Sequence, residues 1–319
     1  MKDVTALGEL LIDFTPSGRG EQDNPRFEAN PGGAPSNVLV SLACLGLETE
    51  FIGCVGRDNF GQLLVAALRS KGVQTNGIVY SNVKTTLAFV HIDEHGERSF
   101  DFYRQPGADM MLAKEDLNLE LISHSRIFHV GSISMTDEPA REATLTALNH
   151  AKERNKVISF DPNLRPLLWD NLDNAKRQIE IVMQYADIVK VSEEELAFLT
   201  NTDDISVGAK QLFEKHHLSL LFVTLGDKGS YAYNEKGLVF VPGITVKAVD
   251  TTGCGDAFFA GVLYQLLKNE LLNVDLPKEK LEQILRFGNA MGAYVAKHKG
   301  GIPAMPTLSQ IEDFIAHSK

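Results

Sequence analysis

Cysteine is scarce in this chain, with three among 319 residues. Cys44, Cys54 and Cys254 stand far apart and no Cys-x-x-Cys pair occurs, which argues against a zinc site and fits a reducing compartment. Positive charge is in deficit: 31 Lys and Arg against 42 Asp and Glu leave a net charge of −11. That balance argues against nucleic acid or an anionic membrane as the main partner. No uncharged apolar run approaches the ~20 residues that span a bilayer. Met1-Lys2-Asp3-Val4 lacks a signal-peptide layout, and Glu9 and Asp13 interrupt the apolar run that follows. A cytoplasmic location is expected. Gly-Lys-Ser/Thr is also missing, which excludes a P-loop. Phe258 stands where a third glycine would complete a dinucleotide fingerprint.

What is present describes a protein with a large core, 44% hydrophobic and 23% charged. From Ser125 onward strands near Ile127–Val130, Val157–Phe160, Ile188–Val191 and Leu220–Thr224 alternate with helices near Pro139–Arg154, Asn174–Tyr185 and Ser192–Leu199. This βαβ periodicity predicts an α/β fold with a doubly wound, mostly parallel sheet flanked by helices. Val4–Ile12 reads as a buried first strand, and Glu50–Val55 as another. An apolar helix runs to Cys44, and Asp58 caps one reaching about Lys71. A hairpin pairs Ser230–Asn234 with Leu238–Val241. Helices follow Pro277 and Thr307, the latter with a capping box to Gln310. The polar stretch Asp13–Asn30 and the hairpin Thr85–Arg104 read as a small appended β layer on one main domain spanning residues 1–319. His91, Glu94 and His95 suggest a metal cluster, but a solvated turn explains them.

The chain is organised around Asp250-Thr251-Thr252-Gly253-Cys254-Gly255-Asp256-Ala257-Phe258, between the β-branched run Ile244–Val249 and a helical run, Phe258–Leu267. A strand is expected to enter a Gly-rich turn that opens a helix. Free N–H groups of the first turn then converge where the helix dipole favours an anion. Asp256 adds a carboxylate beside that hole, and a phosphate hole next to a base is what phosphoryl transfer to a hydroxyl requires. A tight turn with ordinary capping chemistry explains the same residues.

A second glycine motif, Gly32-Gly33-Ala34-Pro35-Ser36-Asn37 with Gly46, Gly53 and Gly56 downstream, stands far upstream. Together the two motifs resemble the ribokinase-like (PfkB) family of sugar kinases, in the expected order and over the whole chain. The resemblance implies a central sheet with a β lid that often makes a homodimer contact, sugar between lid and sheet, and ATP along the strand ends. It implies Asp256 as the base, and the N–H groups of Gly253, Cys254 and Gly255 around the transferring phosphoryl group. Magnesium would bridge the nucleotide phosphates. Asp250 and Thr252 match a loop that binds a monovalent cation such as K+ in many members.

Asp13, Gly33 and Asn37 match positions that contact sugar hydroxyls. Tyr103 and Arg104 end the lid hairpin with Phe102, and Asn163 and Arg165 end a main-sheet strand where ligand contacts gather. On the nucleotide side the matching positions are Lys190, Glu195, Thr224, Gly226, Gly229 and Asn289, with Gly300-Gly301 bordering the adenine or the cation. Two features depart from the family pattern. Cys254 replaces the usual alanine, and Ser192-Glu193-Glu194-Glu195 stands where many members carry Asn-x-x-Glu. Ser192 and Glu195 also make an ordinary capping box. The helix N-terminus is expected to keep Asp256 ionised at neutral pH. The acceptor implied is D-fructose, giving fructose 6-phosphate. The alternatives are 2-keto-3-deoxygluconate as acceptor, or a non-catalytic sugar or nucleotide sensor.

Overall fold

A computed structural model describes residues 1–92, 98–272 and 275–318. Among them the first half of the chain contains β1 (Lys2–Leu7), β2 (Leu11–Arg19), β3 (Pro25–Gly32), α1 (Ala34–Cys44), β4 (Thr49–Gly56), α2 (Asn59–Ser70) and β5 (Gln74–Ser81). Next come β6 (Leu87–Ile92), β7 (Arg98–Tyr103), α3 (Glu120–Ser123), β8 (Ser125–Val130), α4 (Ala140–Glu153) and β9 (Val157–Phe160). The remainder is α5 (Leu172–Met183), β10 (Ile188–Ser192), α6 (Glu193–Thr200), α7 (Ile205–His216), β11 (Leu220–Thr224), β12 (Gly229–Asn234), β13 (Gly237–Pro242), α8 (Cys254–Lys268), α9 (Lys278–Ala296) and α10 (Leu308–His317).

Nine strands form one sheet in the order β13-β12-β11-β10-β9-β8-β1-β4-β5, parallel except where β12 joins β11 and β13. Strands covered on both faces bury successive side chains in opposite cores. In β11, Leu220 and Phe222 enter one core while Leu221 and Val223 enter the other. α1, α8 and α9 cover the first face, and α4, α5 and α7 the second. No helix among the described residues is long and apolar enough to cross a membrane.

The second sheet has four strands, β3-β2-β6-β7. Phe14 and Phe89 face each other across its one parallel pair and stack at 4.7 Å. Phe60 of α2 meets Phe14 edge-on at 5.7 Å, anchoring this sheet to the main body.

Three expectations change. The apolar run Val4–Ile12 is two strands in two sheets, divided at Gly8-Glu9-Leu10. Ile244–Val249 is not a strand: Val249 is 54% exposed, and at its end Ala296 O of α9 accepts bonds from Val249 N at 2.7 Å and Asp250 N at 3.2 Å. β-branched residues favour extended backbone, but β13 is the edge of the sheet and, among the described residues, this run joins no ladder. α7 and β5 had no counterpart in the sequence reading. The turn at 93–97, and with it the reading of Glu94 and His95, lies outside the described residues.

Candidate active site

α8 opens at Gly253, whose backbone is left-handed (φ 78°), a conformation that a side chain disfavours. The first bond of the helix runs from Ala257 N to Gly253 O at 2.8 Å, while Cys254 N turns back to Thr251 O at 3.3 Å. The helix pattern thereby leaves the amides of Gly255 and Asp256 at the open N-terminus. Of the three amides expected there, that of Cys254 is the one turned toward Thr251 O, and Gly255 keeps its place at the helix end. Lys190, on β10, reaches the same spot: a Cβ on Gly255 would sit 3.1 Å from its Nζ. An anion placed there meets amides, dipole and ammonium together.

Asp256 is buried and lines a cavity of about 470 Å³ between the two sheets. Its Oδ2 accepts a 2.7 Å bond from Asn37 Nδ2, and its Oδ1 has Asn163 Nδ2 at 3.4 Å. Burial pushes this carboxyl up to about 6, with the Asp161 carboxylate adding to the shift and Asn37, Lys190 and Arg165 opposing it. Desolvation outweighs the helix end and lifts the group above its ordinary value of 3.8, yet at about 6 it is still mostly ionised at neutral pH. Lys190 is paired with Asp161 at 3.0 and 3.2 Å, both side chains buried. Burial alone would depress the ammonium, but the Asp161 and Glu195 carboxylates outweigh it and leave the group raised.

Asp13, Gly33, Asn37, Asn163 and Arg165 all line this cavity. The carboxylate of half-buried Asp13 accepts no hydrogen bond among the described residues. Burial raises it to about 7; Arg165 opposes the rise, and Asp256 and Asp250 add to it. Gly33 has φ 121°, and a Cβ on it would sit 2.3 Å from Glu9 O. Leu11, Val90, Phe102 and Ile133 supply an apolar wall.

Tyr103 and Arg104 are not among the lining residues. Tyr103 is 65% exposed and packs on Phe89 at 5.4 Å, because the alternation along β7 that turns Phe102 inward turns Tyr103 away. Arg104 is buried, its Nε donating to Asp109 Oδ2 at 2.8 Å and its other nitrogens to Thr136 Oγ1 at 2.9 Å and Ile133 O at 3.3 Å. A buried guanidinium needs such partners, and they occupy the donors a substrate would use.

Glu9 lines the cavity and was read from the sequence only as an interruption. It is 2% exposed; Oε1 accepts Ala34 N at 2.7 Å, and Oε2 has no partner. Burial raises it to about 7, against the bonds from its own and the Ala34 amide, with Asp109 and Asp256 adding to the rise. A carboxylate inside a fully buried run was the available signal.

A second cavity of about 340 Å³ shares Asn163, Arg165 and Lys190 with the first and extends to Ser192 and Glu195. Ser192 and Glu195 form the capping box, at 3.1 and 2.8 Å, and Glu195 Oε1 also accepts Leu164 N at 2.7 Å. Burial nonetheless leaves the Glu195 carboxyl raised. Thr224 ends β11, and Gly226 (φ 60°) and Gly229 (φ 122°) shape the turn into β12. Asn289 is a clamp rather than a free amide: its Oδ1 accepts Ser230 Oγ at 2.7 Å, and its Nδ2 donates to Val241 O and Pro242 O, each at 3.2 Å. These bonds tie α9 to β12 and β13.

Asp250 joins two loops. Its Oδ1 accepts Thr252 N at 3.0 Å and Thr252 Oγ1 at 2.8 Å, and its Oδ2 accepts Gly300 N at 2.9 Å. Gly300-Gly301 thus borders the Asp250 and Asn37 side of the site. Hard oxygen donors from these loops fit an alkali cation. The Gly255–Lys190 cradle instead fits an anionic phosphoryl group. Mg2+ brought by nucleotide phosphates would ask for few protein ligands, which suits a site without a cluster of carboxylates among the described residues.

A carboxylate poised at an anion-binding helix end serves phosphoryl transfer to a hydroxyl, which places the molecule among the small-molecule kinases. Residues 1–308 match the model of the pfkB family carbohydrate kinases, and the chain belongs to that family. It is 43% identical to fructokinase-2 of Solanum habrochaites over 310 residues, covering 96% of this chain and 94% of that one. The crystal structure of the Xylella fastidiosa fructokinase with bound ATP superposes with TM-score 0.89 at 35% identity, covering 99% of each chain. A double mutant of the Vibrio cholerae O395 fructokinase, in fructose, ADP and potassium ion bound form, gives 0.87 at 34% identity, covering 99% of this chain and 98% of that one. The chain is an ATP-dependent sugar kinase with the ribokinase-like fold.

Proposed function

We propose that the chain is a fructokinase, transferring the γ-phosphoryl group of ATP to the 6-hydroxyl of D-fructose. The observation that carries this is the placement of Asp256. It faces a cavity bounded by the unpartnered carboxylate of Asp13, two amides and an apolar wall, a lining suited to a neutral polyol. Fructokinases that match over almost the whole chain support the same reading.

In this mechanism Asp13, Gly33 and Asn163 orient the sugar. Asp256 Oδ1 accepts the hydroxyl proton as the oxygen–phosphorus bond forms and the bond to ADP breaks. A base of this strength suffices where the transition state is loose and the proton leaves late. The amides of Gly255 and Asp256, with Lys190, hold the transferring group, and Arg165 stands at the junction of the two cavities. Mg2+ would supply charge neutralisation on the nucleotide phosphates, and Glu195, which lines the second cavity, is a carboxylate that would face it. Thr224, Gly226 and Gly229 border the nucleoside. The loop of Asp250 and Thr252 would hold K+.

The four-stranded sheet acts as a lid that closes over the sugar and excludes water, within one domain spanning residues 1–319. Its exposed aromatic edge at Tyr103 makes a homodimer contact, and the protein works in the cytoplasm.

2-Keto-3-deoxygluconate fits less well. Its carboxylate needs cations; the Arg104 guanidinium is committed to Asp109, and although Arg165 and Lys190 line the cavity, the carboxyls of Asp13 and Glu9 lie in its wall beside them. ATP consumption over a sugar panel, with identification of the product, tests the proposal. Fructose 6-phosphate as the main product supports it, and preference for the keto acid or no consumption with any sugar contradicts it.

A further inference from the structure

We propose that Asn37, beyond any contact with sugar, is the positioning residue for the base: its amide holds Asp256 Oδ2 so that Oδ1 is the oxygen presented to the substrate hydroxyl. The inference rests on the assignment of Asp256 as base and adds a residue that acts through it.

The two oxygens of Asp256 are bound unequally. Oδ2 has the short bond from Asn37 at 2.7 Å, and Oδ1 only the long approach of Asn163 at 3.4 Å. Asn37 is itself fixed. It sits in α1, its N–H bonded to Gly33 O at 2.9 Å, and is 5% exposed. Its amide lies in a slot walled by glycines: a Cβ on Gly301 would come within 3.1 Å of Oδ1 and 3.2 Å of Nδ2, and one on Gly253 within 3.8 Å of Nδ2. Asn37 Oδ1 is buried without a partner. The orientation of the amide is therefore set by the carboxylate, since a flipped amide would oppose two acceptors at 2.7 Å. An amide kept where one of its own atoms goes unsatisfied is held there by the other bond.

The bond also favours the charged form of the base. Asp256 is faced by Asp161 beyond β9, Lys190 on β10 and Arg165 on the intervening loop, and Glu9 and Asp13 interact with it across the cavity. Removing Asn37 leaves all of these in place and takes away one donor.

The test uses Asn37→Ala, the similar-sized Asn37→Leu, and Gly301→Ala, which crowds the amide without touching Asp256. Turnover with fructose, fructose binding by calorimetry, and the 13C carboxyl titration of Asp256 (assigned with Asp256→Asn) are measured for each. Expected in the folded variants are a fall in kcat of roughly tenfold or more, larger than any loss of fructose affinity, and an acid limb of kcat/KM displaced upward by about one pH unit. The carboxyl titration moves the same way. A rise in KM with kcat, acid limb and carboxyl titration all unchanged makes Asn37 a sugar contact only and overturns the proposal. If the wild type phosphorylates no sugar, the functional reading fails, and the carboxyl titration still decides this one.

Discussion

Glu9 Oε1 accepts the Ala34 amide at 2.7 Å, so the link between the two sheets is tied to the first turn of α1. The folded carboxyl keeps its proton up to about pH 7, whereas the ordinary value is 4.5. Between those values the folded state binds more protons than the unfolded one, so stability declines as pH rises. Glu9→Gln retains an oxygen for Ala34 and removes the titration. Chemical denaturation from pH 5 to 8 should show wild-type stability falling relative to Glu9→Gln, by about 3 kcal/mol at most. Parallel pH profiles would contradict the burial argument.

At the anion hole, Cys254→Ala should keep most activity, because the Cys254 side chain is no part of the cradle. Gly255→Val should abolish activity, because its Cβ would crowd Lys190 Nζ at 3.1 Å. Steady-state kinetics of the two folded variants decide the point, and equal effects would sink it.

Asp13→Ala should raise the fructose KM roughly tenfold or more, as expected when a carboxyl that bonds the sugar hydroxyls is lost. Wild-type enzyme should prefer fructose over 2-keto-3-deoxygluconate by at least about tenfold in kcat/KM, since a site built to bond hydroxyls discriminates against analogues lacking them. Unchanged fructose kinetics in the variant would remove Asp13 from the sugar site.

Much of this was legible in the sequence, and the failures have physical causes. The parallel strands and both glycine motifs stood out because period-two burial and Gly-x-Gly turns are local signals. α7 carried a readable signal as well: buried Ala209, Leu212 and Phe213 at helical spacing behind the Asp204 cap. The roles of Arg104 and Asn289 were not readable, because the partners that occupy them, Asp109 and Thr136 for one and Ser230 and the β13 carbonyls for the other, are brought there by the fold. Glu9 was visible only as a charge out of place. Its bond to Ala34 exists only once the apolar run breaks into two sheets.

The lid interface is tested at Tyr103, whose ring stacks edge-on against Phe89 and is otherwise exposed. Tyr103→Lys should shift a homodimer toward monomer in analytical ultracentrifugation while leaving the sugar cavity lining intact. A wild type that sediments as a monomer, or a variant that remains dimeric, would contradict this contact.

The central claim is that Asp256 takes the proton from the acceptor hydroxyl, and the most direct measurement is turnover of fructose by Asp256→Asn beside its fructose affinity. Asparagine keeps the size and cannot accept the proton. The account predicts a fall in kcat of roughly two to four orders of magnitude with fructose binding within a few-fold of wild type. Near-normal turnover in the folded variant would contradict it.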